Sequence, residues 1–127
     1  MKDNEMQRRL SQLNDMKREV DELSQRIAKL QQEAQGGRVR GMPCSDRYDA
    51  ALAEAIGRMA ARRTDCMEEL GRLYAFIDDI PDSRLRRIFS FRYIDGLTWR
   101  QIAFRIGEYD EQYPRRLHDR YLLKTGK

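Results

Sequence analysis

Gln112, Tyr113, Arg115 and Arg116 fall within one five-residue stretch near the C-terminus. Their chemistry suits recognition rather than bond-making. An arginine guanidinium or a glutamine amide can engage a base edge in the major groove with two parallel hydrogen bonds. Asp110 is a good N-cap, and a helix beginning there would turn Gln112, Tyr113, Arg115, Arg116, Asp119 and Arg120 outward. Pro114, Leu117, Tyr121 and Leu122 would face a core. Gln112, Tyr113, Arg115 and Arg116 are therefore the candidate base contacts. Arg86, Arg87, Arg100, Arg105 and Arg120 are the candidate phosphate contacts, which set register on a duplex. Pro114 fits awkwardly. As a fourth helical residue it would forfeit the first intrahelical hydrogen bond, so the start should be tighter or shifted by one residue.

Nothing comparable points to catalysis. There is no phosphate loop, no nucleophile elbow and no carboxylate pair in a recognisable catalytic frame. His118 is the only histidine, and Cys44 and Cys66 lie far apart, so no metal-ligand spacing occurs. Cys66 reads as a helix-packing residue and Cys44 as a loop thiol. His118, beside the core side of its helix, reads as structural. The expectation is no enzyme, no metal, no cofactor and no small-molecule substrate.

The elements that must position the outward residues lie just upstream. Thr98 sits where a helix N-cap belongs and Gln101 follows three positions later, which is the spacing of a capping box. Leu97 and Ile102 can form the accompanying hydrophobic staple. Trp99, Ile102, Ala103 and Ile106 recur at i, i+3, i+4 and i+7, one apolar stripe. Asp95-Gly96 ends the preceding helix, and Gly107 ends this one with a residue that tolerates positive φ. Before them, Pro81 ends or kinks a long helix, and Asp82 or Ser83 can cap a helix running to about Asp95. Its apolar contacts come from Leu85, Ile88, Phe89 and Phe91, flanked by Arg84, Arg86, Arg87 and Arg92. A helix, a tight glycine turn and a second helix with outward Arg and Gln suit major-groove recognition.

The first 80 residues read differently. From Asp3 to Gln35, Met6, Leu13, Val20, Ile27 and Ala34 recur by sevens, with Met16, Leu23 and Leu30 as a second series. Arg9 breaks that series and Leu10 supplies the nearby apolar contact. The stretch Gln35–Ser45 holds three glycines and a proline and reads as a break. From Asp46 to Asp79 a second array follows, with Leu52, Met59, Cys66, Leu73 and Ile80 in one series. Ile56, Arg63, Leu70 and Ile77 form the other, Arg63 being its polar intruder. Gly57 and Gly71 each weaken this helix by about 1 kcal/mol relative to alanine; close helix approach would be their use. Two heptad helices joined by a short link suggest a long antiparallel helical hairpin of coiled-coil type. The competing arrangement is a parallel dimeric coiled coil of the first helix alone, which Val20 and Ile27 at a with Leu23 and Leu30 at d would favour. A hairpin alone buries little apolar area, so a second copy is expected, a four-helix bundle being the simplest form. The oligomerisation residues would be Leu13, Val20, Leu23, Ile27, Leu30, Leu52, Ile56, Met59, Leu70 and Leu73.

Charge divides along the same line. From Pro81 onward there are 11 Lys/Arg against 6 Asp/Glu, whereas the first 80 residues hold 14 against 15. The basic excess lies with the helix-turn-helix signal and favours a polyanionic partner, double-stranded DNA. No run of about 18 apolar residues occurs, and the polar N-terminus lacks a signal-peptide core, so a cytoplasmic protein without a membrane partner is expected.

The stretch Leu85 to Gly107 also resembles the region-four helix-turn-helix of bacterial sigma factors. Phe91-Arg92-Tyr93, Asp95-Gly96-Leu97-Thr98-Trp99, Ile102-Ala103 and Ile106-Gly107 stand at that motif's positions. With its heptad-rich N-terminal half and the ending Arg116 to Leu122, the chain resembles small prophage-encoded proteins of Gram-positive bacteria, among them ArpU-like late transcriptional regulators. The turn after Gly107 reads about one residue longer than in that family. Pro114 takes the place of a small or β-branched core residue. The implied architecture is all-α: residues 1–80 as an oligomerising hairpin and residues 81–127 as a three-helix DNA-binding domain. The implied function is a dimeric, sequence-specific transcription regulator. A coiled-coil adaptor binding RNA polymerase, or a phage DNA-packaging or assembly component, are the alternatives.

Overall fold

The computed structural model describes residues 4–39 and 46–125, and among them every regular element is a helix. These are α1 (Glu5–Ser11), α2 (Leu13–Val39), α3 (Asp46–Asp78), α4 (Ser83–Phe89) with a π turn at Ser90–Ile94, α5 (Trp99–Arg105) and α6 (Gln112–Thr125). No helix among the described residues is long and apolar enough to cross a membrane. The chain forms two compact units, Met16–Glu69 and Met1–Asp15 with Leu70–Lys127.

In the Met16–Glu69 unit, α2 and α3 supply one segment each. The Arg63 guanidinium donates to Ser24 Oγ at 3.1 Å, and the Cys66 thiol to Glu19 at 3.5 Å. Rising numbers on one segment meet falling numbers on the other, so the two run antiparallel. Leu23, Ile27, Leu52 and Cys66 are buried, as the heptads predict. Ser24 accommodates the polar intruder Arg63. Burial, then the Glu19 carboxylate, pushes the Cys66 thiol pKa up, which keeps it protonated and unreactive.

Two features differ from expectation. The first helix does not begin as one rod: it breaks at Gln12, whose N–H bonds to Arg9 O at 3.1 Å. The break falls where Arg9 interrupts the heptad series, and it lets Leu10 and Leu13 both become buried. At its other end, α2 continues through Gly36 and Gly37 to Val39. Glycine costs a helix about 1 kcal/mol but does not bar it. Residues 40–45, including Cys44, lie outside the described residues.

Within one chain, Gly57 and Gly71 do not serve close approach. A Cβ added at either would meet nothing within 4 Å. Gly57→Ala and Gly71→Ala are each expected to raise stability by about 1 kcal/mol, through helix propensity alone. A rise in the urea midpoint with unchanged m-value would show it; a fall would mean that the glycines are needed for packing.

The second unit is built around aromatic rings. Phe89 lies 6.3 Å from Phe76 on α3, 5.8 Å from Tyr93, and 4.8 and 5.6 Å from His118 and Tyr121 on α6. Beside this cluster, Ile88, Ile102 and Ile106 make a second patch, covered by Phe91, Leu97, Trp99, Tyr113 and Leu117. The π turn contributes here. Asp95 N–H reaches back to Ser90 O and Leu97 N–H to Phe91 O, wider spans than an α-helix closes. It ends the helix with Phe89 and Tyr93 both inward and Phe91 half-exposed. The N-terminus belongs to this unit too: Asn4 caps α1 through Gln7 N–H and donates its amide to Leu122 O at 2.8 Å.

Candidate nucleic-acid interface

Helix α5 is held at both ends by its own sequence. Thr98 accepts from Gln101 N–H and Gln101 Oε1 accepts from Thr98 N–H, so the capping box is complete. Leu97 packs beside Ile102 in the same patch, as the staple requires. At the far end, Gly107 N–H bonds to Phe104 O and Glu108 N–H to Ala103 O. With Gly107 at φ 80°, this is a Schellman ending, which only a residue free of a Cβ penalty adopts readily. Thr98→Ala removes a side-chain acceptor from an otherwise orphaned N–H. It is expected to cost about 1 kcal/mol, read as a lower urea midpoint, while Thr98→Ser stays near wild type. A Thr98→Ala protein of unchanged stability would show that tertiary contacts alone hold α5.

Helix α6 resolves the Pro114 difficulty. It begins at Gln112, so Pro114 is its third residue, where no intrahelical donor is needed. Asp110 organises the start. Its Oδ1 accepts from Gln112 N–H at 2.9 Å, its carbonyl from Tyr113 N–H at 3.1 Å, and its Oδ2 from Arg116 at 3.0 Å. The Gln112 N–H, then Arg116, hold the Asp110 carboxyl below its ordinary pKa, so it is ionised at neutral pH. Pro114, His118 and Leu122 are buried, with Leu117 and Tyr121 half-buried beside them.

The residues expected to meet DNA divide into groups. Gln112, Arg115 and Arg116 are exposed at the start of α6. Arg116 leans on Asp110, and Arg115 lies 4.0 Å from Asp119. Both pairs are solvent-exposed, where such bridges contribute little and exchange readily. Tyr113 is placed differently. It lies half-buried against Ile88, Ile102 and Ile106, and its hydroxyl accepts from Arg84 at 3.0 Å. Its stripe partners explain this: Tyr113, Leu117 and Tyr121 are spaced by four along one helix face.

Arg100, Arg105 and Arg120 are exposed. Arg87 and Arg105 both lie over the Phe91 ring, at 5.6 and 5.8 Å. Arg86 is half-buried and donates to Ile80 O at 2.8 Å. The physical reason is local. Helix α3 has just ended, so the Ile80 carbonyl beyond it has no N–H of that helix to accept from.

Two arginines that only flanked the apolar residues in sequence turn out to clamp the turns. Arg84 donates to Ile106 O at 3.1 Å, to Tyr113 Oη at 3.0 Å and to Glu108 Oε1 at 3.3 Å. It thereby ties the α5–α6 turn to the start of α4. Arg92 donates to Leu97 O at 3.1 Å and lies over the Trp99 ring at 4.5 Å, tying the α4–α5 turn. Nothing in local spacing marks Arg84, which reaches partners 22 to 29 positions away, whereas Arg92 bonds to a turn carbonyl five positions on.

His118 is the buried polar centre. It is 0% exposed, and its Nε2 lies 2.5 Å from Tyr93 Oη and its Nδ1 2.8 Å from Asp119. The Asp119 carboxylate can only accept, so Nδ1 carries the proton and Tyr93 donates to Nε2. Burial raises the Tyr93 pKa far above its ordinary value, so the hydroxyl keeps its proton. Burial lowers the His118 pKa, against the opposing pull of Asp119.

Among the described residues, no group of three or more His, Cys, Asp or Glu could hold a metal ion. Taken together, α5 and α6 form a capped pair of helices that expose Gln112, Arg115, Arg116, Arg100, Arg105 and Arg120. Comparison with family models, curated proteins and solved structures found no match to this chain.

Proposed function

We propose that the chain is a sequence-specific regulator of transcription that binds double-stranded DNA through a helix-turn-helix formed by α5 and α6. In this reading α4, α5 and α6 make a three-helix domain of the sigma region-four kind, and α6 enters the major groove. Gln112, Arg115 and Arg116 address base edges, while Arg100, Arg105, Arg120 and Arg87 meet phosphates. The observation that carries the reading is the pair of clamped turns. Arg92 fixes the start of α5 and Arg84 ties the α5–α6 turn and Tyr113 of α6, and the start of α6 displays three unburied recognition side chains. The resemblance to ArpU-like late regulators supplies the transcriptional role, the prophage origin and the cytoplasmic setting.

Dimerisation belongs to the same proposal. Leu13, Leu23, Ile27, Leu52, Leu70 and Leu73 are buried within one chain. Val20, Leu30, Ile56 and Met59 remain half-buried and would form the seam of the helical hairpin with a second copy. Two DNA-binding domains would then read two half-sites together.

A mobility-shift titration over random-sequence duplexes at several salt concentrations tests the DNA reading. Preferential binding to a subset, with affinity falling steeply in salt, supports it. Equal binding to every duplex removes the sequence-specific claim, and no binding at low salt removes DNA as the partner. Light scattering tests the dimer; a monomer across the concentration range removes it.

A second reading has one observation in its favour. Phe104 on α5 is 81% exposed, beside a depression of about 360 Å³ lined by Leu97, Arg100, Gln101 and Arg105. An exposed ring with a basic rim suits an acidic protein surface, as in an adaptor that binds RNA polymerase. Binding to purified core polymerase that Phe104→Ala abolishes would favour the adaptor.

A further inference from the structure

We propose that Tyr109 is a specificity residue that reads the C5-methyl group of a thymine; this rests on the DNA-binding reading above. Tyr109 is 106% exposed, the most exposed large apolar residue recorded for the described chain. It stands in the turn between α5 and α6, one residue before the Asp110 cap and three before Gln112.

The backbone on either side of it is fixed. Upstream, Gly107 and Glu108 are bonded to Phe104 O and Ala103 O, and Arg84 donates to Ile106 O and the Glu108 carboxylate. Downstream, Asp110 holds Gln112, Tyr113 and Arg116. The turn therefore presents a large aromatic ring from a preorganised backbone while giving it nothing to pack against. Such a ring can be buried by a partner at little ordering cost, since a tyrosine has only two side-chain torsions and its backbone is already set.

Its neighbours indicate what the ring would meet. Gln112 is the residue type that addresses adenine N6 and N7, and an A·T pair carries a thymine methyl in the same groove. Phosphates already have better ligands in Arg100, Arg105 and Arg120, whereas none of the exposed side chains at the start of α6 is apolar. Tyr109 supplies that missing apolar contact. Tyr113, the tyrosine favoured by sequence position, is engaged by Arg84 and the isoleucine patch and is not free to do so.

The test uses the full chain and the tightest duplex selected from a random library, with each thymine replaced singly by deoxyuridine. That change deletes the methyl and leaves pairing intact. At one position, deoxyuridine is expected to weaken wild-type binding about fourfold, the loss from exposing one methyl-sized group. Tyr109→Phe should keep this discrimination. Tyr109→Ala should weaken binding to the thymine duplex and bind the thymine and deoxyuridine duplexes equally. The ring lies in solvent, so helicity by circular dichroism should be unchanged. The proposal is overturned if Tyr109→Ala keeps the wild-type discrimination, if Tyr109→Phe behaves as Tyr109→Ala, or if no deoxyuridine position affects the wild type. A wild-type protein that binds no duplex overturns the DNA-binding reading itself, a separate result from binding without a methyl effect.

Discussion

Phe89→Ala is expected to destabilise the unit that carries α4–α6 by about 3–5 kcal/mol, the range for deleting a large aromatic ring from a close-packed core. Phe89 is fully buried, and four rings from three helices lie around it. Removing it leaves a cavity bounded by Phe76, Tyr93, His118 and Tyr121, and side chains of that size, anchored on different helices, collapse poorly into such a space. A total stability of 5–15 kcal/mol leaves little after such a loss. Urea denaturation followed by tryptophan emission reads it directly, because Trp99 is the only tryptophan and its ring lies 4.9 Å from His118 in the same core. Phe89→Leu should cost less, since it refills much of the volume. A Phe89→Ala protein within 1 kcal/mol of wild type would show that the aromatic cluster does not hold the unit together. The functional consequence is direct: without Phe89, α6 loses its seat against α3 and α4, and its outward residues lose a common orientation.

The second large effect is an acid-side loss of stability governed by His118. Burial lowers the folded-state pKa of this group below its ordinary value of 6.5. Above 6.5 both the folded and the unfolded chain carry a neutral imidazole, and full stability is present. As the pH falls below 6.5 the unfolded chain takes up the proton first, so stability declines until the folded pKa is passed. The groups around the ring are Tyr93, Asp119, Arg92 and Arg115, with Asp119 opposing the shift and the arginines adding to it. Protonation would also make Nε2 a donor, displacing the hydrogen that Tyr93 now gives it. Urea midpoints from pH 7.5 to 5.5 should therefore fall for the wild type. His118→Leu should be less stable at pH 7.5, because it leaves the Tyr93 hydroxyl without its partner, yet flat across this window. A wild-type midpoint that does not change, or a His118→Leu protein with the wild-type slope, would remove His118 as the cause.

The parts legible beforehand share one property: their physics is contained within a few residues. The Thr98–Gln101 capping box, the Gly107 ending and the Asp82 cap satisfy backbone groups three to five positions away, and the stop at Pro81 follows from its missing N–H. The buried faces of Ile102, Ala103, Ile106 and of Leu23 and Ile27 follow from helical periodicity, which depends only on local geometry. The inward turn of Tyr113 belongs in principle to the same class, because its spacing to Leu117 and Tyr121 is visible in sequence. The side chain's polar tip concealed it.

Other features had no local signature. Arg84 became a turn clamp across 22 positions, and Asn4 came to rest on the end of α6. His118, read from sequence as a structural residue beside the core, has both ring nitrogens bonded, and nothing in local spacing marks Tyr93 as one of its partners. Tyr109 was left in solvent between two fixed ends.

Thr98 to Gly107, together with the outward Gln and Arg residues of α6, was thus determined by sequence: which segments are helical, where they start and stop, and which faces are apolar. Tertiary structure decided which of the many arginines stay exposed. A guanidinium on a long side chain can reach an acceptor from any helix that packs nearby, so the partners of Arg84, 22 to 29 positions away, depend on the angles between helices, whereas Arg86 and Arg92 bond to carbonyls six and five positions away that the turns bring within reach. Packing and turn geometry together engaged Arg84, Arg86 and Arg92 in holding the unit together and left Arg100, Arg105, Arg115, Arg116 and Arg120 at the surface.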